Sequence, residues 1–200
     1  MHRKFLKVIS IAAVLGLVGC AGVGVVATSD PRVKLSDADL LFDRQDRPLI
    51  AERLIHEAIE ICQTNSDQEC LAEAYRTYGF FFRSPSLAGH WSKIYKERGF
   101  RDKSATFETR YIKSIEYFKK ARDIYSRLQK FDHLTNVDLN IGFTYELMEE
   151  RALACRAFDE SVANYRENLR RNPDAKVSLP KGFATYDEFL TPHRKRVGCE

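Results

Sequence analysis

The chain has 200 residues, of which 44% are hydrophobic and 30% charged, so it is long and apolar enough for one domain with a sizeable core. Its formal net charge of +4 owes much to Arg3, Lys4 and Lys7, which lie in an N-terminal stretch without acidic residues. Without these three, 29 basic residues face 28 acidic ones. That balance argues against a protein that binds nucleic acid through its bulk charge.

The N-terminus has the pattern of a secretory signal. The basic run His2-Arg3-Lys4 precedes the uncharged apolar stretch 8–18, and small residues follow. The stretch ends Leu17-Val18-Gly19-Cys20, which resembles the lipobox of bacterial lipoproteins. That resemblance implies cleavage before Cys20 and acylation of its thiol, and several acyl chains hold a protein firmly on a bilayer. Ala21 is not the Asp associated with inner-membrane retention, which favours an outer-membrane anchor facing the periplasm.

An uncleaved signal anchor is the alternative, because residues 8–27 form a run of 20 without a charge. Both interpretations export the rest of the chain. We predict a signal peptide over residues 1–19, a lipidated tether over 20–34 and a helical domain over 35–200 with an insertion at about 84–105.

Hydrophobic residues recur at helical spacing through most of the remaining chain. Capping boxes at Ser36–Asp39 and Ser66–Glu69 predict two helix starts, and Pro48 closes or kinks the first helix. The predicted helices are a short one after Ser36, then 49–63, 70–82, 106–129, an antiparallel hairpin within 135–172, and a short capped helix over 185–190.

Residues 86–104 break this regularity. They predict a short helix over 87–98 that stops at Gly99. The segment is either a docking loop for a partner or anionic envelope material, or a piece whose aromatic residues pack inward while its charges are solvated. Its basic and aromatic residues are His90, Trp91, Lys93, Tyr95, Lys96, Arg98, Phe100, Arg101 and Lys103.

Two spacings repeat along the chain. Three helices carry a small residue, a large apolar residue four positions later and a small residue three positions further on: Ala51-Ile55-Ala58, Ser114-Phe118-Ala121 and Ala154-Phe158-Ser161. Two others share a pattern with glycine and an aromatic residue: Tyr75, Tyr78, Gly79, Phe82 and Asp138, Ile141, Gly142, Tyr145.

These patterns resemble the tetratricopeptide repeat over roughly two-thirds of the chain. The resemblance implies an all-α fold of stacked antiparallel hairpins, in which a C-terminal helix caps the last apolar face. Its second hairpin, 72–128, fits only if the segment from Ser84 to about Thr106 is an insertion. The alternative is a plain antiparallel helical bundle.

The same resemblance implies a concave groove lined by the first helix of each hairpin. Phe80 and Phe143 are its most informative positions, because each lies off the core stripe of its own helix. The alternative is that the insertion folds over both rings. The implied lining is Glu73, Arg76, Phe80, Arg83, Asn136, Leu139, Phe143 and Glu146. We predict partner binding by Arg76, Phe80, Arg83, Leu139 and Phe143, with Trp91 of the insertion.

Four cysteines besides Cys20 allow three disulfide pairings. Pairing Cys62 with Cys70 would staple one helical hairpin, and pairing Cys155 with Cys199 would fix the C-terminal cap. Loop entropy gives upper values of about 2.5 and 4 kcal/mol for these two bridges. Buried free thiols are the alternative. A cysteine metal site is not predicted, because no Cys-x-x-Cys or clustered His accompanies them.

No catalytic or phosphate-binding motif occurs in the sequence, so we predict a non-enzyme without cofactor or metal. The predicted function is that of a membrane-anchored adaptor that holds an envelope protein or peptide, with no nucleic-acid partner. Lipoproteins of this class serve peptidoglycan enzymes, secretin channels and outer-membrane assembly machines. The alternatives are a toxin-neutralising immunity lipoprotein and an envelope- or peptidoglycan-binding structural protein that uses the basic tail 193–196.

Overall fold

The computed structural model describes residues 27–174 and 179–199. The predicted signal peptide, the lipidated Cys20 and most of the tether lie outside these residues. Within them the chain forms eight α-helices and a 3₁₀ turn at Pro85–Leu87. The helices are α1 (Pro31–Asp43), α2 (Pro48–Thr64), α3 (Gln68–Arg83), α4 (His90–Arg98), α5 (Arg110–Arg127), α6 (Phe131–Leu147), α7 (Arg151–Arg171) and α8 (Tyr186–Val197).

The helices pack as neighbouring antiparallel pairs. α1 packs on α2, α3 on α5 and α6 on α7, while contacts between α2 and α3 and between α5 and α6 join the pairs. α8 packs on α7 after the last pair. Helix α4 and the 3₁₀ turn occupy the connection between α3 and α5, which is the predicted insertion. The predicted all-α class of stacked hairpins with a C-terminal helix is confirmed.

Two predicted helix starts differ from the structure. α1 begins at Pro31, before the predicted box at Ser36, because the Asp30 side chain accepts a hydrogen bond from the Arg32 amide at 2.8 Å and proline at the first position lacks an N–H. α3 is capped by Asp67, which accepts from the Cys70 amide at 3.0 Å. Ser66, the predicted cap, adopts a φ of 55° in the preceding turn.

The C-terminal helix is longer than predicted. Thr185 caps it as expected, accepting from the Glu188 amide at 3.1 Å, but the helix continues through Pro192 to Val197. Residues beyond the proline are fastened to the body, with Arg194 bonded to Asp159 and Arg196 to Glu146. These contacts stabilise the last turns despite the backbone hydrogen bond that a proline removes.

Two glycines admit aromatic rings between paired helices. A Cβ at Gly79 of α3 would lie 2.7 Å from the Phe118 ring of α5, and one at Gly142 of α6 would lie 2.4 Å from the Phe158 ring of α7. Real Cβ contacts are longer than this, so only glycine leaves room for each ring. The repeated glycine and phenylalanine of the sequence thus meet in the same way in two successive pairs.

The insertion contributes to the main core. Tyr95 and Phe100 are each 1% exposed and stack with ring centroids 4.4 Å apart. The Phe100 ring lies 5.0 Å from that of Phe82, and the Tyr95 ring 6.1 Å from that of Phe81. The interpretation that these two aromatic residues pack inward is therefore confirmed.

Two disulfides join Cys62 to Cys70 and Cys155 to Cys199, as predicted. The first links the end of α2 to the start of α3, and the second links α7 to the residue just after α8. Such bridges indicate an oxidising compartment outside the cytoplasm. Within residues 27–174 and 179–199, no helix has the length and apolar character needed to span a bilayer.

Candidate functional site

The first helices of the three pairs, α1, α3 and α6, run in the same direction. α1 packs on α3, and polar contacts join α3 to α6. Near their N-termini, Arg32 pairs with Glu73 at 3.2 Å, and Lys130 pairs with Glu69 at 2.9 Å. Nearer their C-termini, the Arg83 guanidinium donates to Asn140 Oδ1. Because like ends meet in this way, the three C-termini converge on one surface.

A cleft of about 480 Å³ opens where these three C-termini meet. We call it the three-helix cleft. α1 and α3 supply most of its walls, and α6 supplies its far edge. Its lining residues are Asp39, Leu40, Phe42, Asp43, Arg44, Phe80, Arg83, Ser84, Pro85 and Leu147.

Arg83 is one of two arginines that line this cleft, and it is the more buried of them. Its guanidinium carbon lies 5.2 Å from the Phe80 ring centroid and 5.8 Å from that of Phe118, and Asn140 accepts its hydrogen bond. Desolvation by burial lowers the pKa of Arg83 to about 10. None of the ion pairs between described residues includes Arg83. The protein therefore holds a partly desolvated charge in place without a carboxylate of its own.

The edges of the cleft expose apolar side chains. Leu40 of α1 is 42% exposed and Leu147 at the end of α6 is 52% exposed. They are two of only five large hydrophobic residues exposed in the described part of the chain. Concentration of exposed apolar area beside a pocket is typical of a binding surface.

The α1 wall is acidic. Asp39 opens onto the cleft, and the surrounding protein desolvates its carboxyl, which raises its pKa to about 6. Arg76 of α3 opposes this shift, and the neighbouring Asp43 adds to it. The wall therefore becomes more negative as the pH rises through about 6.

These opposing influences give a prediction for the titration of Asp39. In ¹³C NMR, its carboxyl signal should titrate at about 6 in the wild-type protein. Arg76→Met should move the midpoint upward, because it removes a cation that favours the charged form. Asp43→Asn should move it downward, because it removes a like charge. Shifts of the same sign in both variants would contradict this assignment.

The predicted binding residues divide between the three-helix cleft and its surroundings. Phe80 and Arg83 line the cleft, and Arg76 lies on the same face of α3, with its Nε buried and without a hydrogen-bond partner. Leu139 and Phe143 are half-buried against the second core cluster, which includes α8 residues. Phe143 and Arg83 both line an adjoining cleft of about 590 Å³.

Trp91 lies outside the three-helix cleft. It packs partly buried against the main core, and its nearest ring partner is His90 at 4.6 Å. No aromatic ring of the insertion, which lies within the described residues, contacts the ring of Phe80 or Phe143. Phe80 packs on Phe118 at 5.2 Å, and Phe143 on His193 at 4.8 Å. The ring contacts of Tyr95 and Phe100 with α3 go instead to Phe81 and Phe82.

Sequence reasoning missed Asp39, Leu40 and Leu147. The first two lie on α1, which begins at Pro31 and is longer than the short helix predicted after Ser36. The short predicted helix gave no reason to group α1 with α3 and α6 as a first helix of a pair. Recognition of the Asp30-Pro31 cap would have made α1 a full first helix and so a groove-lining element. Leu147 is the last residue of α6. At a helix end, the helical spacing of apolar residues alone does not distinguish a buried position from an exposed one.

The cleft offers both polar and apolar contacts for a ligand. It combines carboxylates, guanidinium groups and apolar surface, but its lining includes no histidine or cysteine, and Ser84 Oγ contacts Ser86 at 3.0 Å. Among the described residues, no group of three or more His, Cys, Asp or Glu is placed to hold a metal ion. Comparison of the whole chain with protein-family models, curated proteins and solved structures finds no match.

Proposed function

We propose that this chain is an exported, lipid-anchored adaptor that holds a segment of another protein in the three-helix cleft. The observation that carries this proposal is the convergence of exposed Leu40 and Leu147 around Phe80 and Arg83. Burial of Leu40 and Leu147 by a partner would remove apolar area from water, and the charged groups between them would set its orientation.

The arrangement of helix pairs supports a tetratricopeptide-type array. The same contact between a first-helix glycine and a second-helix phenylalanine recurs at Gly79 and Phe118 and at Gly142 and Phe158. In such arrays each hairpin buries the apolar face of its neighbour and leaves one face for a ligand. The surface formed by α1, α3 and α6 is that face.

The two disulfides support export of the domain. A lipobox at residues 17–20, which the sequence resembles, would account for this export and would place a lipid anchor on Cys20. Envelope binding by the basic tail receives less support, because Arg194 and Arg196 are already bonded to Asp159 and Glu146. The adaptor therefore uses its cleft, and the tail fastens α8.

Site-specific photo-crosslinking in cells tests the adaptor function. A photoreactive phenylalanine analogue at position 40 or 147 should give one discrete adduct with a partner. Ile112 on α5 is a matched control, because it is 48% exposed and does not line the cleft. The adduct should be absent at position 112 and lost from position 40 when Leu147 is changed to Asp. Equal adducts at all three positions would reject the cleft as the site.

A separate experiment tests the anchor. Metabolic labelling with an alkyne fatty acid should label the wild-type protein, and Cys20→Ala should abolish the label. Labelling that persists in Cys20→Ala would reject lipidation at this residue.

If a secreted toxin is the crosslinked partner, the immunity function replaces the adaptor function.

A further inference from the structure

Arg83 is held in place without a carboxylate partner, unlike several other arginines of the structure. Arg32, Arg122 and Arg196 each pair with a carboxylate, at Asp67, Asp138 and Glu146. Arg83 is fixed by an amide oxygen and two aromatic rings instead. Desolvation of a cation without a compensating anion is unfavourable, so a ligand that supplies the anion would relieve this cost.

The position of Arg83 indicates how a ligand would run. Its side chain lines both the three-helix cleft and the adjoining cleft that contains Phe143, Glu146 and His193. A chain bound at Arg83 therefore has surface to follow on either side. This favours an internal segment over a chain end, because a terminal carboxylate would need only one of the two clefts.

Neighbouring residues indicate what flanks the anion. Leu40 and Leu147 are exposed at the edges of the three-helix cleft, and Phe80 packs beside the guanidinium. Apolar side chains next to the acidic residue would contact these groups. Asp39 and Asp43 line the α1 wall and would repel a second acidic residue there.

Resting on the function proposed above, we propose that the adaptor's ligand is an internal, extended peptide segment in which one aspartate or glutamate, flanked by apolar residues, pairs with Arg83. The planar guanidinium, already oriented by Asn140, Phe80 and Phe118, donates hydrogen bonds to both carboxylate oxygens. Preorganisation of this kind lowers the entropy lost on binding.

Peptide selection tests this specificity. Random 12-residue peptides, displayed with their C-termini fused to the carrier so that they have no free carboxylate, are selected on the immobilised full-length chain. Enriched peptides should share one acidic position between apolar positions. Arg83→Met should weaken their binding about tenfold or more, and replacement of the peptide's Asp by Asn, or Glu by Gln, should cost the same. Selection on Arg83→Glu should enrich lysine or arginine at that position.

Arg110 provides a matched control. Its guanidinium also stacks on aromatic rings, with its carbon 4.2 Å from the centroids of Phe107 and Tyr111, but it does not line the cleft. Arg110→Met should leave peptide binding unchanged, and thermal melts should show that both variants are folded. Equal losses for Arg83→Met and Arg110→Met would overturn the proposal. So would synthetic peptides that bind only with a free C-terminal carboxylate.

The outcomes separate this specificity from the adaptor function itself. Peptides that bind the wild type, lose binding in Leu147→Asp, but share no acidic position would leave the adaptor function standing and reject the role of Arg83. Absence of any enriched peptide would reject both.

Discussion

A variant in which Cys155 and Cys199 are both replaced by alanine is expected to lose α8 from the body of the protein before α1–α7 unfold. The bridge joins residues 44 positions apart, so its removal should lower the free energy of unfolding by up to about 4 kcal/mol. The contacts that remain to hold α8 include a small apolar cluster around Phe158 and Leu190, the stacking of Tyr165 on Tyr186, the hydrogen bond between the Tyr186 and Ser161 hydroxyls, and ion pairs at the surface. Surface ion pairs contribute little.

Two optical probes check this order of unfolding in urea. Circular dichroism follows all helices, whereas the fluorescence of Trp91, the single tryptophan, reports on the main core against which it packs. In the variant, the helical signal should begin to fall at a urea concentration where Trp91 fluorescence is unchanged. In the wild type the two transitions should coincide.

The second disulfide is the matched comparison. Cys62→Ala with Cys70→Ala opens a loop between residues only 8 positions apart, so the loss should be about 2.5 kcal/mol and both probes should shift together. These cysteines belong to the main core and bridge two helices that also pack on each other. A greater loss of stability in this variant than in the α8 variant would show that loop length does not govern the contribution of the bridges.

The repeated features of single helices could be predicted from the sequence. The spacing Ala154-Phe158-Ser161 identifies the buried stripe of α7, and Gly142 marks the point where the Phe158 ring enters. Each of these two features follows from the spacing of residues within a single helix, and that spacing can be seen in the sequence. The pairing of Cys62 with Cys70 could also be predicted, because the first ends one predicted helix and the second begins the next.

The full lining of the candidate cleft and the polar core could not be predicted in the same way. Leu40, Arg83 and Leu147 come together only because the C-termini of three helices far apart in sequence meet at one cleft. Glu52 stands beside Ala51 in a position that reads as solvent-facing, yet it is 3% exposed. Glu52 is buried because the insertion covers this part of α2. The Arg101 amide of the insertion, 49 residues further along the chain, bonds to its carboxylate.

Glu52 is the buried acceptor that joins α2, α3 and the insertion. Its Oε1 accepts hydrogen bonds from the Tyr78 hydroxyl at 3.0 Å and from the Arg101 amide at 2.6 Å. The His56 ring lies 2.9 Å from the same hydroxyl, through Nε2. Buried donors that lose their acceptor keep the cost of desolvation without its compensation. Removal of this carboxylate should therefore loosen the insertion from the core.

Glu52→Ala should lower the free energy of unfolding by about 2–4 kcal/mol, because it removes the acceptor shared by the Tyr78 hydroxyl and the Arg101 amide and creates a cavity. Glu52→Gln keeps an oxygen that can accept both bonds, so its loss at neutral pH should be smaller than about 1 kcal/mol. Urea unfolding of the three proteins, followed by Trp91 fluorescence, measures these differences. Similar large losses for Gln and Ala would show that the negative charge itself is required.

The pH dependence of the wild-type and Glu52→Gln proteins gives an independent check. Burial raises the pKa of Glu52 above its ordinary value of 4.5, so the native state binds its proton more tightly than the unfolded state does. The stabilisation from this group is therefore fully present below pH 4.5 and is lost as the pH rises through the raised folded value. Relative to Glu52→Gln, the wild type should lose stability as the pH rises from 4 to 8. A difference that stays constant over this range, or one that grows in favour of the wild type, would contradict the raised pKa.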